Sequence, residues 1–338
     1  MKFRFIKRMK NKTLLWLLCL INLENVVKSF AAFSSLMRPI EKLIQTSSFT
    51  ITDLETLRIP HITNVDTKPM NLYFTGAGIY FWWQIGAAKY IRENCDLTDV
   101  MIQGASAGSI TATMLLSGCD FEETLNIALE LADKHDIYRS KSGLKLVLGG
   151  ILSEFLDKVI PEEIDEKILR PLQIALTPAE YNIPKYPFLI AAPSIRKQLI
   201  ECIKASCHIP VLLDGRVSTT YKDMTVVDGS FWYFVTKNRW TGLPIPQEGP
   251  SSIYWVDYSD DEEFMKKISG NILELADPKA LREMISSGFN HMSKQDRAGT
   301  LPFKRKETSD DSIQSNHIPN VSSVVDRAID SRQVLAGC

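Results

Sequence analysis

The chain has 338 residues, 45% of them hydrophobic and 23% charged, with a formal net charge of −1. This is the composition of a globular protein long enough to bury a sizeable core, and the near-zero charge provides no global field to draw it onto nucleic acid. Six cysteines (Cys19, Cys95, Cys119, Cys202, Cys207, Cys338) form neither a C-x-x-C pair nor a dense framework, which argues against zinc and a disulfide scaffold and reads them as mostly free thiols.

The chain opens with Lys2, Arg4, Lys7, Arg8, Lys10 and Lys12, then the apolar run Leu14 to Ile21, then small residues around Ser29 to Ala32. Basic, then apolar, then small is the order of a secretory signal peptide. It also fits the first part of an organelle presequence, or an arm that touches membrane. The apolar run falls short of the roughly 20 residues that span a bilayer unaided. Residues 1–45 are therefore expected to be a targeting or membrane-associating segment that directs the chain to the secretory pathway or an organelle. The folded domain is expected over residues 68–292. Residues 293–338, where aliphatics are sparse among polar runs such as Lys304-Arg-Lys-Glu and Ser309-Asp-Asp-Ser, read as a disordered tail, with a short helix near Val321 to Ile329.

Within the domain, Asn71 to Thr75 is short, β-prone and followed by Gly76, a strand running into a turn. Ile79 to Asn94 has apolar residues at mostly helical spacing. Val100 to Gln103 is a second strand ended by glycine, and Ser109 to Leu116 a second helix stopped at Gly118. Strand, glycine turn and helix, twice over, predict a parallel sheet with helices on both faces. Residues 120–180 carry helical patterns and few strand signals: Phe121 to Asp133 is amphipathic, Leu144 to Val159 is strongly apolar, and Pro171 and Pro178 close the region. Phe188 to Ala192 reads as a buried strand and Leu199 to Ser206 as a helix. Met224 to Val227 is a strand that delivers Asp228-Gly229, and Ser252 to Val256 is the last strand. The final helix, Leu275 to Ser287, has an Asp277-Pro278 start suited to capping.

Three turns, each just after a strand, carry candidate chemistry. Gly104-Ala105-Ser106-Ala107-Gly108 is G-x-S-x-G, whose small residues allow a sharp strand-to-helix turn that lifts a serine clear of the sheet. The helix N-terminus behind it favours developing negative charge. Thr75-Gly76-Ala77-Gly78 offers bare backbone N–H groups of the kind that stabilise an oxyanion. A phosphate-binding reading of the same glycines wants a third glycine where Phe81 stands. Asp228-Gly229 places a carboxylate at a sheet end, where sites of open α/β sheets gather, although Asp-Gly is also a common plain turn. Of the five histidines, His291 alone follows the serine at a place suited to a Ser–Asp/Glu–His order.

Taken together, Gly76-x-Gly78, Gly104-x-Ser106-x-Gly108 and Asp228-Gly229 resemble the patatin-like phospholipase family over roughly residues 70–290. Phe74 to Gly86 and Lys204-Ala-Ser-Cys-His-Ile-Pro210 are similar to further family segments. The resemblance implies a three-layer α/β/α sandwich with a mostly parallel central sheet. It also implies a Ser–Asp dyad without a catalytic histidine, in which Ser106 is the nucleophile, Asp228 the base, and Gly76, Ala77 and Gly78 the oxyanion donors. The substrate it implies is a fatty-acyl ester of a phospholipid, galactolipid or neutral lipid at a membrane or lipid surface, with no cofactor or metal. Two departures stand out: Ile79-Tyr80-Phe81 where the family often has a basic residue and a glycine, and Asp228-Gly229-Ser230 where it usually has Asp-Gly-Gly or Asp-Gly-Ala.

The leading expectation is a lipid acyl hydrolase working through an acyl-serine. Acyl transfer to an alcohol by the same dyad, a Ser–His hydrolase using His291, and a non-catalytic lipid-binding protein stay open beside it. The apolar stretch Gly143 to Ile160 is expected to form an acyl groove, dip into membrane or pack as a core helix. Trp82, Trp83, Trp232 and Tyr233 are candidates to line an acyl tunnel or fill the core.

Overall fold

A computed structural model describes residues 70–138, 148–181, 183–236, 252–268 and 277–306. In chain order the elements are β1 (Met70–Phe74), α1 (Phe81–Asn94), β2 (Met101–Gly104), α2 (Ala107–Ser117), α3 (Phe121–Lys134), α4 (Leu148–Val159) and α5 (Glu166–Leu169). Then come β3 (Leu172–Glu180), β4 (Ile183–Pro184), β5 (Phe188–Ala191), α6 (Arg196–Ser206), β6 (Thr219–Tyr221), β7 (Met224–Val227) and α7 (Phe231–Thr236). The described chain closes with β8 (Ser252–Val256), α8 (Glu262–Lys267) and α9 (Pro278–Arg297).

The architecture is the expected three-layer α/β/α sandwich. Its sheet runs β6-β7-β3-β2-β1-β8, with β4 and β5 added to β3. The central strands β3, β2, β1 and β8 are parallel, so their C-terminal ends share one edge. Leu72 and Phe74 of β1 enter the main core, while Tyr73 between them joins a smaller cluster with Ala105 and Ala175, the two-residue alternation of a strand covered on both sides.

Local chemistry sets the helix ends. The Asp120 carboxylate accepts from the amides of Glu122 and Glu123 at the start of α3, and Gly118 closes α2 in the left-handed region. Asp277 caps α9 by accepting from Lys279 and Ala280, with Pro278 at the first helical position, where a missing N–H costs nothing. The residues expected to begin α9 before Asp277 lie outside the described ones, as do residues 1–45, the start of the Gly143–Ile160 stretch and the chain beyond 306.

Four differences from the sequence expectations matter. No strand is expected at 172–180, yet β3 is the longest of the sheet, and Pro178 sits inside it paired with Val226. β5 is only half-buried and ends in exposed Ala191, because it is one arm of an antiparallel pair on β3 and not a core strand. The chain does not become irregular at 293: α9 runs on to Arg297, carrying His291 in its body and not at its end. The segment after α9 is tied down as well. The Asp96 amide donates to Lys304 O at 2.7 Å, the Lys306 amide to Asn94 O at 3.0 Å, and Phe303 packs on Tyr254. The apolar groups Leu301 and Phe303 within that polar stretch anchor it to the core. The four cysteines among the described residues, Cys95, Cys119, Cys202 and Cys207, are free and buried.

Helices α1 and α9 cross in closest contact at two glycines. A Cβ on Gly86 would lie 1.8 Å from the Ile285 carbonyl oxygen, and one on Gly288 would lie 1.9 Å from that of Trp83. Both obstacles are backbone, so the helices themselves must separate. Gly86→Ala and Gly288→Ala should each destabilise the fold by about 1–3 kcal/mol despite the better helix propensity of alanine. Gly150→Ala, in α4 with nothing within 4 Å of its added Cβ, should stabilise by up to about 1 kcal/mol. Denaturant midpoints of the three variants against wild type check the contrast.

Candidate active site

The site is assembled by register. Gly104 at the end of β2 pairs with Ile174 of β3, so counting two residues on brings Ser106 level with Leu176. β7 runs the other way, and Val227 pairs with Thr177, so one residue on brings Asp228 to the same level. A parallel and an antiparallel strand thus deliver a hydroxyl and a carboxyl to one point from opposite directions. There the Ser106 Oγ donates to Asp228 Oδ2 at 2.6 Å.

The serine sits in a sharp elbow, with φ 53° and ψ −129°. A side chain in this region costs on the order of 1–3 kcal/mol and persists only where the surroundings hold it. Here they do. The Ser106 amide donates to Ser206 Oγ at 2.9 Å, and that hydroxyl donates to Ala175 O at 2.8 Å. The Ser106 carbonyl accepts from Ser109 Oγ at 2.7 Å. The elbow also needs the second glycine of its motif, since a Cβ on Gly108 would meet Phe74 O at 2.2 Å.

Asp228 is 1% exposed. Its second oxygen, Oδ1, accepts from the Ser230 amide at 2.8 Å and the Ser230 hydroxyl at 2.7 Å. Its own amide donates to His208 O at 2.8 Å, and the Gly229 amide to Ser206 O at 2.8 Å. Burial disfavours the charged carboxylate and raises its pKa to about 6, while the bonds from Ser106 and Ser230 oppose the rise without cancelling it.

The Gly76–Gly78 turn stands beside this pair. It is anchored from behind: Gln84, fully buried, donates to Thr75 O at 2.7 Å and accepts from Thr111 Oγ1 at 3.2 Å. Gly78 has φ 54° and, with Ser106, lines a cavity of about 160 Å³. The rest of the cavity wall is apolar. Phe81 and Trp82 come from α1, Leu131 from α3, Leu152 and Phe155 from α4, and Leu213 from the loop after α6. The described part of the apolar stretch expected at 143–160 therefore lines the cavity that opens on the serine.

Of the four aromatic candidates, Trp82 alone reaches that wall. Trp83 points elsewhere and donates through Nε1 to Asp261 at 2.9 Å. Trp232 donates to Lys185 O at 2.6 Å, and the Tyr233 hydroxyl to Asp257 at 3.1 Å. His291 stacks against Trp83 with its Nδ1 3.9 Å from Asp261 Oδ2, and burial lowers its pKa. His135 is bonded to Glu154 at the surface, and His208 is buried with its pKa lowered by burial. No group of three or more metal-ligating side chains occurs among the described residues. None of the described helices is long and apolar enough to cross a membrane.

Ser206 and Ser230 have no role in the sequence expectations, although both lie in segments quoted for other reasons. No periodicity marks them. Their only signal is adjacency, one preceding Cys207-His208 and the other following Asp228-Gly229.

With this geometry in place, comparison with known proteins is informative. A family model described as patatin-like phospholipase matches residues 72–236, which span β1 through α7. The human protein named 1-acylglycerol-3-phosphate O-acyltransferase PNPLA3 is 27% identical over 168 residues, 47% of this chain and 33% of its own length. Patatin-like phospholipase domain-containing protein 2 of Mus musculus is 27% identical over 252 residues, 65% of this chain and 48% of its own. The Homo sapiens protein of that name is 26% identical over 254 residues, 66% of this chain and 47% of its own. The chain thus spans no more than about half the length of these relatives.

The carboxyl makes a stability prediction. A native pKa of about 6 against 3.8 means the folded state holds the proton more tightly between those values. Stability from this group is therefore full below about pH 4 and is lost as pH rises through 6, leaving a cost of roughly 3 kcal/mol at higher pH. Asp228→Asn removes the titration while keeping an acceptor for Ser230. Its stability relative to wild type should rise from pH 4 to pH 8 by about 1–3 kcal/mol, read as the difference in denaturant midpoints across that range.

Proposed function

The chain belongs to the patatin-like phospholipase family across residues 72–236, and from that premise we propose that it is a lipid acyl hydrolase of the phospholipase A or lipase type. The observation that carries the proposal is the 2.6 Å bond from Ser106 Oγ to Asp228 Oδ2, with Ser106 lining an apolar cavity. A hydroxyl is a poor nucleophile until a base takes its proton. An ordinary aspartate with a pKa of about 3.9 is a weak base for that task, and one raised to about 6 by burial is a better one near neutral pH.

In the proposed reaction Ser106 Oγ attacks the ester carbonyl carbon and its proton passes to Asp228 Oδ2. The carbonyl electrons move onto oxygen, and the amides of Gly76, Ala77 and Gly78 receive that oxyanion. Among the described residues these three amides make no backbone bond to the neighbouring turns, which leaves them available as donors. Collapse of the intermediate breaks the ester C–O bond, the departing alkoxide takes the proton from Asp228, and the acyl group remains on Ser106. Water then gives a proton to the same carboxylate and attacks the acyl-serine. Collapse returns the proton to Ser106 Oγ and frees the fatty acid, while the apolar cavity holds the chain throughout.

Acyl transfer is the second reading, favoured by the similarity to a human protein named as an acyltransferase. It uses the same steps with an alcohol or lysolipid in place of water. The basic, apolar, small order of residues 1–45 supports delivery to the secretory pathway or an organelle, with the substrate presented by a membrane or lipid surface.

Fluorophosphonate labelling and fatty-acid release from mixed phospholipid and galactolipid vesicles test the proposal. Ser106→Ala should abolish labelling, and Asp228→Asn should slow release by about 10²–10⁴-fold. His291→Ala should retain both. Wild-type kcat/KM should rise with pH through about 6, where Asp228 loses its proton. Release that survives Asp228→Asn and vanishes in His291→Ala would replace the dyad with a Ser–His pair. A folded wild-type protein that binds vesicles with neither labelling nor release would make it a lipid-binding protein. Acylated alcohol in place of free fatty acid would make it a transacylase.

A further inference from the structure

Ser230 is the third residue of the Asp228-Gly229-Ser230 turn that follows β7. It has a side-chain donor and uses it on the carboxyl group that matters. Ser230 is 2% exposed. Its hydroxyl and its own amide converge on Asp228 Oδ1 at 2.7 and 2.8 Å, while Oδ2 receives Ser106 at 2.6 Å. The same hydroxyl lies against the Gly76 turn so closely that a Cβ on Gly76 would come within 2.0 Å of it.

We propose that Ser230 is a positioning residue for the base: its hydroxyl fixes Asp228 so that Oδ2 alone faces Ser106, and braces the carboxylate against the Gly76–Gly78 turn. The inference rests on the reading of Asp228 as base. Without the hydroxyl the carboxylate keeps one bond to Oδ1, from the amide, and rotation about the Cβ–Cγ bond breaks only that bond on this oxygen. With both donors, rotation breaks two bonds at once. Donation to the charged form also stabilises it, opposing the burial that lifts this carboxyl to about 6. Ser230 therefore keeps a buried base ionised at a pH where desolvation alone would leave it protonated.

The other titratable groups that sense Asp228 leave this logic intact. Tyr73 of β1 and Cys207 after α6 are both pushed up, first by burial and then by Asp228 itself, so both are neutral around pH 7. His208, which meets the Asp228 amide through its carbonyl, is pushed down by burial.

The test is the pH profile of kcat/KM for the full chain, with 4-nitrophenyl butyrate and with phosphatidylcholine vesicles, in wild type, Ser230→Ala, Ser230→Cys and Asp228→Asn. Ser230→Ala should move the acidic limb up by about one pH unit, with about a tenfold loss below both limbs, which is ~1.4 kcal/mol of lost carboxylate stabilisation. The alkaline plateau should fall as well, by about two- to tenfold, because the ionised carboxylate no longer holds Oδ2 in fixed alignment with Ser106. Ser230→Cys, a weaker donor, should fall between. An unmoved limb in Ser230→Ala, or a loss uniform across pH, while Asp228→Asn is inactive would overturn the role of Ser230 and leave the dyad standing. Wild-type rates in Asp228→Asn would overturn both.

Discussion

A carboxyl group held out of water beside a hydroxyl is the constraint to which the rest of the site answers. Burying an ionised aspartate is costly unless its oxygens are bonded. Here both are: Oδ2 to Ser106, Oδ1 twice to Ser230. Ser230 lies on the same turn as Asp228, but Ser106 comes from another strand end, so β2 and β7 must end where they do. β7 has to run antiparallel to bring Asp228 back to the edge at which the parallel strands finish. The Ser106 elbow has to be strained to lift its oxygen into reach, and Ser206 holds that elbow by accepting its amide while donating to β3. The fold is read most simply as the scaffold that makes one buried carboxyl tolerable.

That view explains which parts were legible in the sequence. Ser106, Asp228 and the Gly76–Gly78 turn stand out because each is a glycine-flanked turn directly after a short apolar run, and chain order alone puts those ends at sheet edges. The structure brings the three together. β3 was not legible, although it is the ruler against which Ser106 and Asp228 are aligned. Residues Ile174 to Thr177 are buried in sequence and not alternately, because both faces of the strand are covered. A buried strand of this kind has no period of two, and Pro178 imitates a terminator. Pro178 gives the ladder no N–H, but its carbonyl still accepts the Lys185 amide at 2.7 Å.

Ser206 and Ser230 were illegible for a different reason. Their roles depend on pairings between residues far apart in the chain, 100 positions in the case of Ser206 and Ser106, and serine is too common for its presence to mark such a pair. The histidines show the converse. His291 is placed by sequence order where a triad histidine belongs, but α9 carries it against Trp83 and Asp261, on the helix pair α1 and α9 that the two glycines bring together. Linear order describes a triad only within a given topology, and this topology spends the position on packing.

The apolar helix α4 unites the proposed base with the proposed substrate. Amphipathic spacing fits core, groove and membrane contact equally, and in the described part of the helix Leu152 and Phe155 are buried in the core and also line the cavity beside Ser106. Asp228, bonded to the serine on that wall, is itself buried, and burial is the largest cause of its raised pKa. Ser106 is therefore the point at which an apolar cavity wall and a buried carboxyl meet. An acyl ester with an apolar chain, the substrate class proposed above, suits the wall, and the raised carboxyl suits deprotonation of the serine.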